Sequence, residues 1–250
     1  MTSSRFSYNG YNDTIKGIHF GSDWNALTVA PNNFCKYLFY GANYSIIEAN
    51  LPQNLQSVGN DFAYYMFCNN QQVTAVPNGF SIPQGITTVG SSFLTGLFGN
   101  TPITSLPNGF NIPQGITTTP SSFLSGLFSY NTNLTTLPNG FNIPQGITTI
   151  SGSGFLQSML SGTQLTTLPN GFSIPQGITT TGTHFCVRMF ENCTSLIYDP
   201  NSTSTLTFPI GSATYYGHYT FKDVPSFLGT PGIDSEGTVS QGSTIKIPTA

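Results

Sequence analysis

Apolar residues recur along this chain in a fixed arrangement. An aromatic residue is followed, four and five positions later, by two further apolar side chains. The arrangement occurs six times, in the sets Phe34/Leu38/Phe39, Phe62/Met66/Phe67, Phe93/Leu97/Phe98, Phe123/Leu127/Phe128, Phe155/Met159/Leu160 and Phe185/Met189/Phe190. Residues at i, i+4 and i+5 lie on one face of a helix. The pattern therefore predicts six short helices of one or two turns, each with one buried face.

Small polar residues precede several of these segments, as in Asn60-Asp61, Ser91-Ser92 and Ser121-Ser122. Their side chains can accept a hydrogen bond from the first free N–H groups of a helix, which makes such residues good N-caps. Their positions support helices that begin just before each aromatic residue.

Polar turns and short β-branched segments separate the predicted helices. The segments at 103–106, 134–137 and 165–168 combine Leu or Ile with Thr, which favours strands of three or four residues. Pro-Asn-Gly then breaks the chain, and a second extended stretch follows, such as Ile112 to Thr118. The predicted unit is strand, turn, extended segment and short helix.

One phrase repeats almost unchanged. The sequence PNGF(N/S)IPQGITT begins at Pro77, Pro107, Pro138 and Pro169, at spacings of 30, 31 and 31 residues. A period of this size predicts a repeat solenoid, in which parallel strands of successive units pair and like residues form ladders. The expected amide ladders, with hydrogen bonds along the stacking axis, are Asn78/Asn108/Asn139/Asn170 and Gln84/Gln114/Gln145/Gln176.

Two stretches carry a resemblance to a known family. Residues 82–98 read IPQGITTVGSSFLTGLF, and residues 189–196 read MFENCTSL. They resemble the repeat of the BspA-like (Treponema pallidum type) leucine-rich repeat proteins, which runs I-P-x-x-V-x-x-I-G-x-x-A-F-x-x-C and contains an M-F-x-x-C-x-x-L turn. The resemblance covers residues 30–200. It implies a leucine-rich-repeat-like solenoid of short parallel strands and short helices, in a non-enzymatic surface protein for adhesion or interaction.

The chain departs from that family in three respects. Its units have 28 to 32 residues, whereas the family repeat has about 23. It inserts Asn-Gly-Phe between the strand and Ile-Pro, and the turn cysteine occurs only at Cys193. These departures leave the expected fold class in place and leave the ligand open.

The two ends lack the repeat, which predicts a division into three parts. Residues 1–29 would form an N-terminal cap, 30–200 the solenoid, and 201–250 a C-terminal β cap or attachment segment, because the ends of a solenoid expose core and sheet edge. Within the last part, 204–208 and 213–221 are predicted to form a strand pair, and 243–247 one last strand.

Charge is concentrated at the ends of the chain. No Asp, Glu, Lys, Arg or His occurs from Phe62 to Thr183, and 6% of all residues are charged, against about 25% in an average soluble protein. A body without these side chains predicts a protein that is not an enzyme. The absence of a basic stripe argues against nucleic-acid partners. No apolar run approaches the ~18 residues of a membrane span.

No catalytic, cofactor-binding or metal-binding residues are predicted, and no cofactor. His184 and Cys186 are close in sequence, but in a helix or a strand their side chains would point in different directions. The scattered acids lack the spacing of oxygen ligands and are interpreted as surface residues; they are Asp199, Asp223, Asp234 and Glu236. The four cysteines are interpreted as buried thiols, with a Cys35–Cys68 disulfide as the alternative.

Threonine forms two further rows, which predict a regular polar array. They are Thr87-Thr88, Thr117-Thr118, Thr148-Thr149 and Thr179-Thr180, and then Thr74, Thr104, Thr135 and Thr166. An ice-binding surface is one hypothesis for such an array. The alternative is that Thr is simply favoured in strands.

These patterns predict a non-enzymatic structural or interaction protein, extracellular on a virion or cell surface. The start of the chain shows no apolar signal-peptide core, so we expect a virion or surface-assembly decoration component, unless the native start was trimmed. The alternative is an adhesin-like module that binds a host protein or glycan, for example through Tyr215, Tyr216 and Tyr219. Expected partners are protein subunits of an assembly, a host receptor or glycan, or further copies through 1–29 or 201–250.

Overall fold

The computed structural model of the protein describes residues 17–18, 20–180, 182–210 and 215–249. Most of the predicted N-terminal cap therefore lies outside the described residues. In the described part, one 3₁₀ helix spans Ser22–Ala26 and the other regular elements are short strands. The strands are β1 (Gly17–Ile18), β2 (Val29–Ala30), β3 (Glu48–Ala49), β4 (Ser57–Val58), β5 (Thr88–Val89), β6 (Thr118–Thr119), β7 (Thr149–Ile150), β8 (Thr205–Thr207) and β9 (Thr244–Lys246).

Three of the small sheets are parallel, and none is closed. Their strand orders are β1-β3, β2-β4-β5 and β6-β7, while β8 and β9 pair antiparallel. Each parallel pair joins residues about one repeat apart, for example Ser57 with Thr88 and Thr118 with Thr149. A bridge from Thr149 to Thr180 continues the last register. The prediction of short parallel strands is thereby confirmed, and their arrangement is compatible with a repeat-like β fold.

The strands predicted at 103–106, 134–137 and 165–168 are wrong in position. Ile103 and Leu106 are both buried, with two exposed residues between them, so the segment has a period of three instead of two. Backbone bonds to the neighbouring unit occur here, such as Thr104 N–H to the Thr74 carbonyl at 3.3 Å, but none of the three segments contains a strand in the described structure. The observed strands β5 to β7 lie at the end of the Ile-Pro-Gln-Gly-Ile stretch instead.

The six predicted helices are also wrong. Around Phe93 the backbone alternates in sign, with φ of 61° at Ser92 and 54° at Leu94, and the segment is a series of turns. The N–H groups of Gly96 and Phe98 donate to carbonyl oxygens of Ser125 and Leu127 in the next unit, at 2.8 and 3.0 Å. In a helix, those N–H groups would donate to carbonyl oxygens of the same segment. The hydrogen bonds that join the units would then be lost.

We call the six segments that were predicted as helices turn segments. Their apolar side chains pack into a common core. The first aromatic rings form one column from Phe34 to Phe185, with neighbouring centroids 5.1 to 5.8 Å apart. A second column runs from Phe39 to Phe128. The rings of both columns are buried. Close stacking of large aromatic side chains between neighbouring units dominates such a core.

The glutamine ladder forms, with different partners from those predicted. Gln114 Nε2 donates to the carbonyl oxygen of Ile112 in its own unit and to that of Asn142 in the next, at 2.8 and 3.2 Å. The same pair of bonds recurs at Gln53, Gln84, Gln145 and Gln176. The side chains thus bond along the axis, but to backbone carbonyls and not to one another.

A second asparagine row, at a different position from the predicted one, bonds between units. Asn78, Asn108, Asn139 and Asn170 are exposed. The asparagine after Phe, in the two units that have one, links neighbouring units through its side chain. Asn111 Oδ1 accepts from the backbone N–H of Asn142, and Asn142 Oδ1 accepts from that of Ser173, both at 3.0 Å.

The predicted pairing of 204–208 with 213–221 is wrong, because residues 215–221, the described part of the second segment, form another turn segment. The Tyr216 ring stacks on Phe185 at 4.7 Å, and Phe221 stacks on Phe190 at 5.2 Å. The spacing of Tyr216 and Phe221 equals that of the two rings in earlier units, so the stacking continues past residue 200. Strand β8 pairs instead with β9, where the last predicted strand is confirmed.

Candidate binding groove

The turn segments carry one surface row whose residue type changes between units. The third residue after the first aromatic ring is Tyr37 and Tyr65 in the first two units, and Gly96 and Gly126 in the next two. The rings of Tyr37 and Tyr65 stack at 5.9 Å with an interplanar angle of 13°. A Cβ atom on Gly96 would collide with the Tyr65 ring. The ring therefore lies directly over the glycine of the following unit.

Two further tyrosines fix these rings from the side. Tyr64 meets Tyr65 edge to face at 4.4 Å, and Tyr40 meets Tyr37 in the same way at 5.3 Å. Beside them, Lys36 Nζ lies 5.0 Å from the centre of the Tyr64 ring and 2.7 Å from Asp61 Oδ2. The four rings form one cluster whose neighbouring charges are paired with each other.

Small residues replace the rings in the third and fourth units and leave an open groove of about 810 Å³. We call it the tyrosine groove; its lining is Tyr37, Tyr40, Tyr64, Tyr65, Cys68, Asn69, Gly99, Asn100, Ser129, Tyr130 and Thr132. Tyr130 stands at the far end, 56% exposed, with Gly162 beneath it: a Cβ there would lie 3.2 Å from the Tyr130 ring. Aromatic rings thus bound the groove at both ends.

A row of amides runs beside the rings. Asn100 Nδ2 donates to Asn69 Oδ1 at 2.7 Å, and Asn69 Nδ2 donates to the Tyr40 hydroxyl oxygen at 2.7 Å. Gln71 Nε2 donates to the Asn100 carbonyl oxygen at 2.8 Å. These bonds hold the amides in one orientation across three units.

The lining carries no acidic or basic side chain. Burial raises the pKa of the Tyr64 and Tyr65 phenols above the ordinary value of 10.0, so both remain neutral at physiological pH. The groove presents aromatic faces, hydroxyls and amides without charge.

Of the three tyrosines predicted as an exposed patch, Tyr216 is not on the surface, whereas Tyr215 and Tyr219 both contact the ring of His218. Tyr216 is buried and its hydroxyl donates to the carbonyl oxygen of Pro209. Tyr215 is exposed and stacks on His184 at 5.1 Å. Tyr219 lies 3.7 Å from His218, ring centre to ring centre, with Lys222 Nζ 5.2 Å from its own ring.

Sequence reasoning missed the tyrosine groove, although a signal was present. Tyr37 and Tyr65 are one unit apart, and glycine follows at the equivalent positions 96 and 126. A ring that lies across the neighbouring unit needs a glycine there, because a Cβ atom would collide with the ring. An aromatic residue followed one unit later by glycine is therefore the sequence signal of such a ring.

The other candidates are placed apart from the groove. Cys186 is buried in the core, whereas His184 is partly exposed against Tyr215. Cys68 and Cys193 are also buried, Cys35 is half-buried, and all four are free thiols. The Asp234 carboxylate accepts the backbone N–H groups of Glu236 and Thr238. No group of three His, Cys, Asp or Glu side chains comes together among the residues that the structure describes.

Both threonine rows lie on the surface. Thr118 pairs with Thr149, and Thr149 bridges to Thr180, so part of the first row is in strand register. Ice binding stays a prediction, which a thermal-hysteresis assay would test.

Comparison with known proteins finds no family whose model matches this chain and no matching curated protein. Within the described ranges, no helix has the length and apolar character needed to cross a bilayer.

Proposed function

We propose that this chain is a non-enzymatic structural and interaction protein, built as a leucine-rich-repeat-like solenoid, that decorates the outside of a virion or of another surface assembly. The solenoid is supported by parallel pairing one repeat apart, by the aromatic columns and by the glutamine bonds between units. Its partners are protein subunits of the assembly or further copies of the chain.

The distribution of exposed apolar side chains carries the proposal. The described residues include eight large apolar side chains that are exposed. Seven of them lie near the ends of the repeat array; they are Val29, Tyr40 and Ile47, then Ile197, Ile210, Tyr215 and Leu228. The eighth is Tyr130. Exposed apolar groups mark interaction surfaces. An uncharged body with apolar and charged ends fits a molecule that is held in place through its ends.

Sedimentation velocity over a concentration series tests contact through the ends. Ile210 is 81% exposed, and we expect Ile210→Asp to weaken self-association about tenfold or more because it places a charge in an apolar contact. Thr104→Asp, at an exposed position of the body, is the matched control and should associate like the parent chain.

Imaging of the native source with an antibody against the chain tests the assembly itself. We expect many regularly spaced copies on a particle or cell surface. A free monomer that associates with neither itself nor any particle would contradict the proposal.

The tyrosine groove favours a second candidate, a surface adhesion module. A groove lined by aromatic rings and a few oriented polar groups is typical of ligand sites. Pull-down of surface-labelled host cells with the purified chain tests this role; binding abolished by Thr132→Trp, which fills the groove, is the expected result, and binding unaffected by it would contradict the candidate.

A further inference from the structure

We infer that the tyrosine groove binds a neutral oligosaccharide, which is laid along the repeat axis. The inference rests on the adhesion candidate and names the ligand of that site. It starts from the rings at the two ends of the groove: Tyr130, which is 56% exposed beside Gly162, and Tyr65, which lies between Tyr37 and Gly96. The apolar C–H face of a pyranose ring packs against the exposed face of an aromatic ring. Tyr130 offers such a face, and the half-buried Tyr65 borders the groove two units away.

The amide row supplies the polar half of such a site. A sugar hydroxyl both donates and accepts hydrogen bonds, so it matches groups that can do both. Each asparagine side chain carries two N–H donors and one acceptor oxygen, and the bonds among Asn100, Asn69 and Tyr40 use one donor of each amide. Counting the bonds among the described residues, a second donor on each amide and Asn100 Oδ1 are left for a ligand. Their orientation is already fixed, which lowers the entropy lost on binding.

Charge decides between neutral and charged ligands. The lining contains no Lys, Arg, Asp or Glu, and the nearby Lys36 is bonded to Asp61 at 2.7 Å. A sulfated, sialylated or phosphorylated ligand would lose hydration in the groove without gaining a counter-charge. A neutral sugar has no such cost.

The dimensions fit a chain of several sugars. The lining residues come from four consecutive units, whose aromatic rings Phe39, Phe67, Phe98 and Phe128 are spaced 5.5, 5.1 and 6.1 Å apart, so the groove extends about 17 Å along the axis. An oligosaccharide of a few pyranose rings spans this length, with one terminal ring over Tyr130 and the sugar chain running past Tyr65, which lies two units and about 11 Å away.

A proline-rich peptide is the strongest competing ligand, because polyproline II segments also dock in aromatic grooves. Such a segment presents carbonyl acceptors and few donors. The groove offers amide and hydroxyl acceptors as well as donors, which would stay unpaired against the peptide and lose hydration. The balance of polar groups therefore favours the sugar.

Isothermal titration calorimetry of the full chain with neutral hexasaccharides tests the inference. The probes are hexamers of β-1,4-glucose, β-1,3-glucose, β-1,4-galactose and α-1,6-mannose, and decaproline is the peptide probe. We expect at least one hexasaccharide to bind and decaproline not to bind. Tyr65→Ala and Tyr130→Ala should each weaken that binding about tenfold, and Tyr130→Phe should retain most of it.

Controls separate binding from folding. Tyr215→Ala removes an exposed tyrosine outside the groove and should bind the sugar like the parent chain. Thr132→Trp keeps every groove tyrosine and should abolish binding by filling the space, with an unchanged melting temperature. Decaproline as the sole ligand, no binding of any hexasaccharide at millimolar concentration, or sugar binding unaffected by Thr132→Trp would each overturn the inference. A chain that adheres to host cells while binding no hexasaccharide would retain the adhesion candidate and overturn the sugar.

Discussion

At the scale of single residues, the turn segments depend on a left-handed backbone at recurring positions. The residue before the first ring and the residues three and seven positions after it have positive φ in all seven turn segments, glycine or not. In the Phe123 unit these are Ser122, Gly126 and Tyr130. For a residue other than glycine, this left-handed conformation costs roughly 1–2 kcal/mol of conformational free energy. The hydrogen bonds between units therefore stabilise a left-handed backbone conformation that residues with a Cβ atom disfavour.

Exchanging serine and glycine at equivalent positions tests this strain. Gly126 and Ser158 occupy the same place in successive units, with φ of 60° and 52°. We expect Ser158→Gly to raise the free energy of unfolding, and Gly126→Ser to lower it, by about 1 kcal/mol each, as measured by urea denaturation. Gly146→Ala is the control, because its φ is not in that region and its Cβ would lie 3.7 Å from Thr117. Equal effects of all three changes would contradict the account.

Because of the buried thiols, the free energy of unfolding should fall as the pH rises into the alkaline range. Burial raises the pKa of Cys68 to about 12 and that of Cys193 to about 11, whereas the thiol of an unfolded chain has a pKa of about 8.5. Their contribution is complete below pH ~8.5 and is lost as pH rises towards the folded pKa, because only the unfolded chain ionises there. By pH 10 the loss is about 2 kcal/mol for each thiol.

Urea unfolding at pH 7 and pH 10 measures this loss. The double variant Cys68→Ala/Cys193→Ala should lose less stability between the two pH values than the parent chain. The comparison isolates the thiols from the buried phenols. An identical loss in both proteins would contradict the assignment.

At the scale of the repeated element, glutamine side chains join consecutive units. Gln145 Nε2 donates to the Ile143 carbonyl oxygen at 2.8 Å and to that of Ser173 in the next unit at 2.9 Å. The prolines of Ile-Pro-Gln-Gly remove backbone donors from this stretch, so a side-chain amide supplies the bond that a strand would make with its backbone.

Replacing one such glutamine tests its contribution. We expect Gln145→Ala to lower the free energy of unfolding by about 1–2 kcal/mol, since two carbonyl oxygens lose a donor. Gln145→Glu should cost more, because it places a carboxylate against the same two oxygens. Chemical denaturation checks both variants, and a glutamate variant as stable as the parent would contradict the geometry.

The sequence predicts the repeat better than the local backbone. The spacing of Phe93, Leu97 and Phe98 marks the core correctly, because any compact segment that buries these side chains keeps that spacing. It does not distinguish a helix from a series of turns, because the choice depends on carbonyl groups that lie one unit away in sequence. The tyrosine groove escaped prediction for a related reason: it forms where Tyr65 meets Gly96 of the next unit.

At the scale of the whole molecule, the described units form one array with a shared core. Phe123 is fully buried between Phe93 and Phe155, with ring centroids 5.6 Å away on both sides. In such an array each unit contacts only its neighbours, and stability is the sum of units and interfaces. A defect in the middle weakens both halves.

A charge in the aromatic column tests the shared core. Phe123→Asp removes a ring, which costs about 3–5 kcal/mol, and buries a carboxylate without a partner. Natural domains are stable by about 5–15 kcal/mol, so we expect the variant to be largely unfolded by circular dichroism. Thr135→Asp, at an exposed position, should melt like the parent. An unchanged melting temperature in Phe123→Asp would contradict the stacked core.

Excision of one whole unit tests the solenoid most directly. Removing residues 111–141 joins Phe110 to Asn142, which restores the Phe-Asn sequence of the repeat and preserves the register of the neighbouring units. Urea unfolding of the shortened chain, monitored by circular dichroism, should show one cooperative transition and a native-like spectrum. Removing residues 111–125, about half a unit, should abolish that transition. Loss of cooperative folding in the whole-unit deletion, or equal behaviour of both deletions, would contradict the account.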